Sequence, residues 1–319
     1  ATGVRASAEE LLRDADIAMY RAKWGGKSRY LVFESGMEDE AQSRLEIEMD
    51  LQSALGNEEF FLVYQPTFDL QTMVPTGVEA LIRWRRPGRG VVQPEDFIPL
   101  LEDSKLIVDV GAWVLREACE QAARWQRDGR TLELSVNVSQ LQLDTDDLID
   151  DVKLALAASG LPPQALTLEI TETSLMSDAE ETARRLEELK ELGVRIAVDD
   201  FGTGYSSLTH LRQFPVDVLK LDRSFVSQLS EGGENEILLQ TLVQLGKALE
   251  IETTAEGVER PQDLSVVRDK KCDNAQGFLF TRPLSAGDAE SFFRQWSSDR
   301  VPVDGSLGLD AAAAGTDAR

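Results

Sequence analysis

The sequence predicts an α/β fold: a modified (β/α)8, TIM-like barrel whose first strand runs antiparallel to the others. Three observations carry this reading. Eight short apolar runs recur between residues 59 and 278, and helical patterns separate most of them. The link between the first two runs, TFDLQTMVPT, is too short for a crossover helix, so those two strands must be antiparallel neighbours. The runs close on acidic or amide residues, as expected where barrel strands converge at their carboxyl ends.

In chain order the strands are EFFLVYQ (59–65), GVEALIRW (77–84), LELSVNVS (132–139), ALTLEIT (165–171), VRIAVDD (194–200), DVLKLD (217–222), IETTAE (251–256) and DNAQGF (273–278). DVGAWVLREACEQAARWQRDG and SDAEETARRLEELKELG show apolar residues at three and four spacings, the helical period. Trp113 and Trp125 on the first of these helices are read as packing residues. Three regions follow: residues 1–40 end an upstream domain and link it onward, residues 41–298 form the barrel, and residues 299–319 make a small, polar, disordered tail. The start, ATGVRASAEE, has neither an initiator Met nor a signal-peptide pattern, so the chain is expected to be a fragment of a longer protein.

Charge narrows the function. Asp and Glu total 57 against 33 Lys and Arg, a formal charge of −24, which argues against a nucleic-acid polymer as partner. A small anionic substrate remains compatible if bound cations invert the local charge. No run approaches 18 apolar residues, so no membrane span is expected. Two cysteines, Cys119 and Cys272, without a CxxC pattern suit a reducing compartment and buried thiols. The single histidine, His210, leaves carboxylates, amides and lysine as the catalytic vocabulary.

Those groups collect at strand ends. Glu79 lies on the second strand, Asn137 on the third, and Glu169 on the fourth with Glu172 just beyond. Asp199 and Asp200 end the fifth, Lys220 and Asp222 lie on the sixth, Glu256 and Glu259 follow the seventh, and Gln276 marks the eighth. Adjacent strand residues point to opposite faces, but at the strand's end, where the Gly202–Gly204 turn begins, Asp199 and Asp200 can converge. So many carboxylates at one mouth need cations or protons to offset their repulsion. Oxygen donors suit Mg²⁺ or Mn²⁺, and an aspartate shared by two ions suits a two-metal phosphodiester hydrolase. GTG lacks the third glycine of a dinucleotide fingerprint, and there is no Walker A motif.

Together YQP, GVEALIRW, VQPEDFIPLLE, SVNVS, LEITET, VDDFGTGYSSL, LKLD, AEGVE and QGFLFTRP resemble, in order and over about 250 residues, the EAL-domain cyclic di-GMP phosphodiesterases. RDADIAMYRAKWGGKSRYLVF resembles the last segment of a GGDEF domain, without the cyclase's signature loop, and cannot cyclise GTP. The resemblance implies a first metal held by Glu79, Asn137, Glu169 and Asp199. A second would be held by Asp199, Asp200 and Glu256. Lys220 would contact the nucleophilic water, and Glu172 would hold the DFGTGYSSL loop. Gln65, Leu81, Arg83, Asn137, Asp222, Glu259 and Gln276 would place the substrate.

Lys105 stands where glycine is common in the family, Thr253 and Thr254 where aliphatics are usual, and Phe278 where Tyr is frequent. The implied reaction is hydrolysis of cyclic di-GMP to linear pGpG with two Mg²⁺ or Mn²⁺ ions, Ca²⁺ being inhibitory. An ion-activated water is favoured as nucleophile and Lys220 as an orienting donor, because a lysine base at pH 7 needs a pKa depressed by roughly three units. The rival is a noncatalytic cyclic di-GMP receptor, which typically has lost ligands; here each is retained. A homodimer, formed by helices beside the DFGTGYSSL loop, and a cytoplasmic location complete the expectation, with an anchor upstream left open.

Overall fold

The computed structural model describes residues 37–176, 178–203, 211–227 and 234–296, with Val32, Phe33 and three isolated positions before them. The expected GGDEF-like segment lies almost wholly outside the described residues, as do His210, the loop from Gly204 onward and the 299–319 tail. Nine strands are described: β1 (Phe60–Asp69), β2 (Pro75–Arg86), β3 (Gly90–Val92), β4 (Glu133–Val138), β5 (Leu166–Thr171), β6 (Arg195–Phe201), β7 (Val218–Leu221), β8 (Glu252–Ala255) and β9 (Asn274–Ala275). The longer helices are α1 (Met37–Ala54), α2 (Pro94–Asp103), α3 (Ile107–Arg127), α4 (Asp147–Ser159), α5 (Ala179–Glu191), α6 (Glu234–Leu249), α7 (Pro261–Asp269) and α8 (Ala286–Gln295).

Two compact units divide the chain: Ala1–Phe60 with Trp84–Ser104, and Phe61–Arg83 with Lys105–Arg319. In the first, Phe60, Trp84 and Phe97 form an aromatic cluster with centroids 5.8–6.3 Å apart. The Trp84 indole donates to Glu59 and Arg86 pairs with Asp50 at 2.7 Å. Residues 84–86 of β2 pair antiparallel with β3, a hairpin that the sequence pattern did not reveal because the turn residues break the apolar run.

The second unit is the barrel. Its strands follow the order β1-β9-β8-β7-β6-β5-β4-β2, and β1 pairs with β2 to close it. All pairs from β2–β4 round to β8–β9 are parallel, whereas β1 meets β9 antiparallel, with Phe68 opposite Ala275. The short β1–β2 link thus has the predicted consequence.

Strand alternation separates the barrel's two faces. One face is aliphatic: Leu134, Val136 and Val138 on β4, Leu166, Leu168 and Ile170 on β5, Ile196 and Val198 on β6, and Leu219 and Leu221 on β7 are buried. Burying each such side chain stabilises the fold by about 1.5–3 kcal/mol. α3 packs on β4 and α4 and buries Val110, Val114, Ala118 and Ala122, together with Cys119 and the predicted packing residue Trp125. Pro261 begins α7, and Asp178 caps α5 by accepting from the Glu181 N–H.

The eighth predicted strand shortens to Asn274–Ala275 because Gln276 turns to receive the backbone N–H of Val258. Gly277 is required there: a Cβ would stand 2.1 Å from the Val258 carbonyl oxygen. Lys105 has φ +62°, the left-handed region that favours glycine.

Candidate active site

The inner face of the barrel carries the polar residues, and they meet at Lys220. Its ammonium Nζ lies 2.6 Å from Glu169 Oε2, 2.8 Å from Glu256 Oε1, 3.3 Å from Asp199 Oδ1 and 3.6 Å from Glu79 Oε2. Asn137 Nδ2 donates to Glu79 Oε1 at 2.7 Å and Gln276 Nε2 donates to Glu79 Oε2 at 2.6 Å. Thr67 in turn donates to Gln276 Oε1 at 3.1 Å. Side chains from β2, β4, β5, β6, β7 and the segments after β8 and β9 thus form one hydrogen-bonded cluster.

The paired aspartates sit at a bulge. Val198 is opposite Leu219 and Phe201 is opposite Leu221, so Asp199 and Asp200 together face the single residue Lys220. Asp200 takes φ +53°, a conformation that aspartate tolerates better than most residues. Convergence therefore arises inside β6, which runs on through Phe201, and not from the glycine turn beyond it. Carboxylate oxygens of Asp199, Asp200 and Glu256 lie within 4.8 Å of one another.

Short capped turns fix the neighbouring groups. Thr171 caps the single helical turn Glu172–Leu175, which begins on the buried Glu172. Glu172 Oε2 accepts the backbone N–H of Gly202 at 2.8 Å, tying the end of β5 to the end of β6. Gly202 has φ +100°, and a Cβ there would approach the Phe225 ring to 2.8 Å. Asp222 caps the turn Arg223–Val226, its Oδ1 accepting from Ser224 N at 2.9 Å. Leu81 and Arg83 follow Glu79 by two and four residues on the same strand face, and Arg83 donates to the Ile82 carbonyl. Gln65 is buried on β1, and Glu259 is exposed after β8. Thr67 was missed as a partner, though it was legible as the residue two beyond Gln65; the bond to Gly202 gives a specific form to the expected hold of Glu172 on the DFGTGYSSL loop.

The electrostatics follow from four carboxylates sharing one ammonium, with Asp200 beside them. Burial opposes the charge on Lys220, but Asp199, Glu169, Glu256 and Glu79 outweigh it and hold the ammonium protonated well above the lysine range. Burial raises Glu169 strongly, helped by repulsion from Glu79. Burial also raises Glu256, to about 8, with Asp199 and Glu79 adding to it against the pull of Lys220. Burial and then Asp199 and Asp222 raise Asp200. Glu79 is the exception: burial would raise it, but Lys220 and the amides of Gln276 and Asn137 hold it low. The cluster has more negative charge than one lysine can balance.

A closed barrel with a carboxylate- and amide-lined mouth of that kind defines the class: a TIM-like barrel with an acidic cluster at its carboxyl end. The EAL domain profile matches residues 48–283, and the chain belongs to that family. It is 41% identical over 278 residues to the bifunctional diguanylate cyclase/cyclic di-GMP phosphodiesterase MucR of Pseudomonas aeruginosa, covering 87% of this chain and 41% of MucR. It is 38% identical over 300 residues to the cyclic di-GMP phosphodiesterase NbdA of the same species, covering 94% of this chain and 38% of NbdA. The chain therefore spans about two fifths of the length of these curated relatives. The solved structure of PaMucR phosphodiesterase in complex with c-di-GMP superposes with a TM-score of 0.74 at 39% identity, covering 76% of this chain and 99% of that one.

Proposed function

We propose that the chain is a metal-dependent phosphodiesterase domain that hydrolyses cyclic di-GMP to linear pGpG. The observation that carries this is the cluster itself: Glu79, Glu169, Asp199 and Glu256 all lie within 3.6 Å of the Lys220 ammonium, and Asp200 stands beside them at the bulge. The relatives named for this activity and the neighbour solved with c-di-GMP support the substrate.

The donor set fits two hard divalent cations, Mg²⁺ or Mn²⁺. The donors are oxygens and their charge exceeds that of Lys220. Glu79, Asn137, Glu169 and Asp199 would hold one ion, and Asp199, Asp200 and Glu256 the other. When bound, such ions supply positive charge at the scissile phosphate and lower the pKa of a water. The chain's own groups do the rest. Lys220, which the surrounding carboxylates hold protonated in the metal-free fold, would act as a charged donor that orients the attacking water. Glu172 fixes Gly202, and with it the backbone that presents Asp199 and Asp200. Gln65, Leu81, Arg83, Asp222, Glu259 and Gln276 place the substrate around the mouth.

Among the described residues no helix is long and apolar enough to cross a membrane. Both cysteines are free and buried, which supports a reducing, cytoplasmic setting. A homodimer belongs to the same proposal, by family likeness. The test is hydrolysis of cyclic di-GMP in Mg²⁺ or Mn²⁺ beside Asp199→Asn, with binding followed in Ca²⁺. Linear pGpG from the wild type alone is the expected result. Tight binding without turnover would replace the enzyme with a receptor.

A further inference from the structure

Beneath the carboxylate layer the barrel's inner face is hydroxylated where many barrels are filled by branched aliphatics. Ser135 lies two residues before Asn137, Thr167 two before Glu169, and Thr254 two before Glu256, so each sits one layer below a member of the acidic cluster. Register agrees, since Thr254 is opposite Lys220 across β7–β8. These side chains line a narrow pocket of about 40 Å³, partly open to solvent, whose wall also includes Glu169, Lys220 and Gln276. Further down, Arg195 pairs with Glu133 and Glu252, two residues that also line the pocket.

Thr167 and Thr254 are only 2% and 5% exposed. Among the described residues neither hydroxyl hydrogen-bonds to another protein group, and neither oxygen is sealed off by protein, so each is open to a water in the pocket. A pocket of this volume has room for at least one water, and the polar wall offers the two to four partners a buried water needs.

We propose that this pocket is a built water site, held by Thr167 and Thr254, and that its water connects these hydroxyls to Glu169 and Lys220 above. The two threonines are then positioning residues for the Lys220–Glu169 pair. The inference rests on the phosphodiesterase reading for its catalytic consequence, but the water site itself does not.

The experiment compares the wild type with the Thr167→Val/Thr254→Val double variant and the matching serine variants. Valine keeps the shape and suits a strand, while serine keeps the hydroxyl. Oxygen-17 relaxation dispersion counts long-lived internal waters, and the ¹⁵Nζ signal of Lys220 reports its surroundings; neither needs turnover. The expected result is loss of at least one internal water and a displaced Lys220 signal in the valine variant. Its kcat should fall about tenfold with KM little changed, a scale set by slight misplacement of catalytic groups. The serine variants should match the wild type in each readout. An unchanged water count would overturn the water site. A lost water with an unmoved Lys220 signal would overturn the positioning role. A wild type that hydrolyses no cyclic di-GMP, with both physical readouts as expected, would sink the activity reading while supporting the water site.

Discussion

Lys220 Nζ lies 2.6 Å from Glu169 Oε2, and both side chains are almost wholly removed from solvent. The ammonium is the only cation in contact with four carboxylates among the described residues, so it neutralises charge as well as donating hydrogen bonds. Removing one partner of a buried ionic cluster costs about 3–5 kcal/mol, because the partners left behind stay desolvated. Lys220→Met should therefore lower the thermal midpoint of the metal-free protein clearly. Mn²⁺ should restore part of that stability without restoring activity. Loss of a positioned charged donor lowers kcat by about 10²–10³-fold. Turnover within threefold of the wild type would remove Lys220 from the reaction.

The raised carboxyl of Glu256 gives a pH dependence with a definite sign. Its ordinary value is 4.5 and its value in the metal-free fold is about 8, so between these limits the folded chain binds more protons than the unfolded one. Its contribution to stability is therefore present below the unfolded value and is lost as pH rises through about 8. The midpoint of the EDTA-treated protein should fall between pH 6.5 and 8.5, by no more than about 2–4 °C per kcal/mol, the scale of somewhat smaller domains. Added Mn²⁺ should reverse the trend, since the cation needs the ionised carboxylate. Calorimetry in buffers of different ionisation enthalpy should then show proton release on Mn²⁺ binding. A midpoint that rises over this pH range in EDTA would contradict the assignment.

Much of this arrangement was legible in the sequence because strand ends, period-two alternation and a short link are local signals. The antiparallel β1 followed from the length of TFDLQTMVPT alone, and the inner-face residues from the polar positions closing each apolar run. The bulge at Asp199–Asp200 was not legible. It depends on Leu219 and Leu221 pairing across β7, and that register is set by tertiary contacts. Nor was the Glu172–Gly202 bond, which joins residues 30 positions apart, evident except through the family likeness. The β2–β3 hairpin escaped because its turn residues break the apolar run and leave a second strand of only three residues.

Glu172 predicts a separation of binding from folding. Its carboxylate accepts the Gly202 N–H at 2.8 Å at the point where β6 leaves the barrel. Glu172→Ala removes that acceptor and leaves the Gly202 amide without it, while Glu172→Gln keeps an oxygen in reach. The alanine variant should bind Mn²⁺ at least about tenfold more weakly and lose activity in proportion, as conserved orienting partners of metal ligands do. The glutamine variant should retain most of both. Titration calorimetry with Mn²⁺ distinguishes them, and equal affinity in the two variants would reject the clamp.

Asp200 carries the sharpest stability prediction, because backbone and charge pull in different directions there. A φ of +53° is uncommon outside glycine, and a β-branched residue at such a position is strained by about 1–3 kcal/mol. Asp200→Val should therefore destabilise the fold by that amount. Asp200→Gly removes the strain together with a carboxylate that burial and Asp199 already raise, so in EDTA it should match or exceed the wild-type midpoint. Asp200→Asn keeps the side-chain shape and removes only the charge. If Asp200 is a metal ligand, all three variants should lose activity, whatever their stability. Thermal denaturation in EDTA beside turnover in Mn²⁺ separates the two effects: a valine variant as stable as the glycine variant would show that the bulge relaxes when Asp200 is replaced. An active glycine variant would show that Asp200 serves the bend in β6 and not the ions.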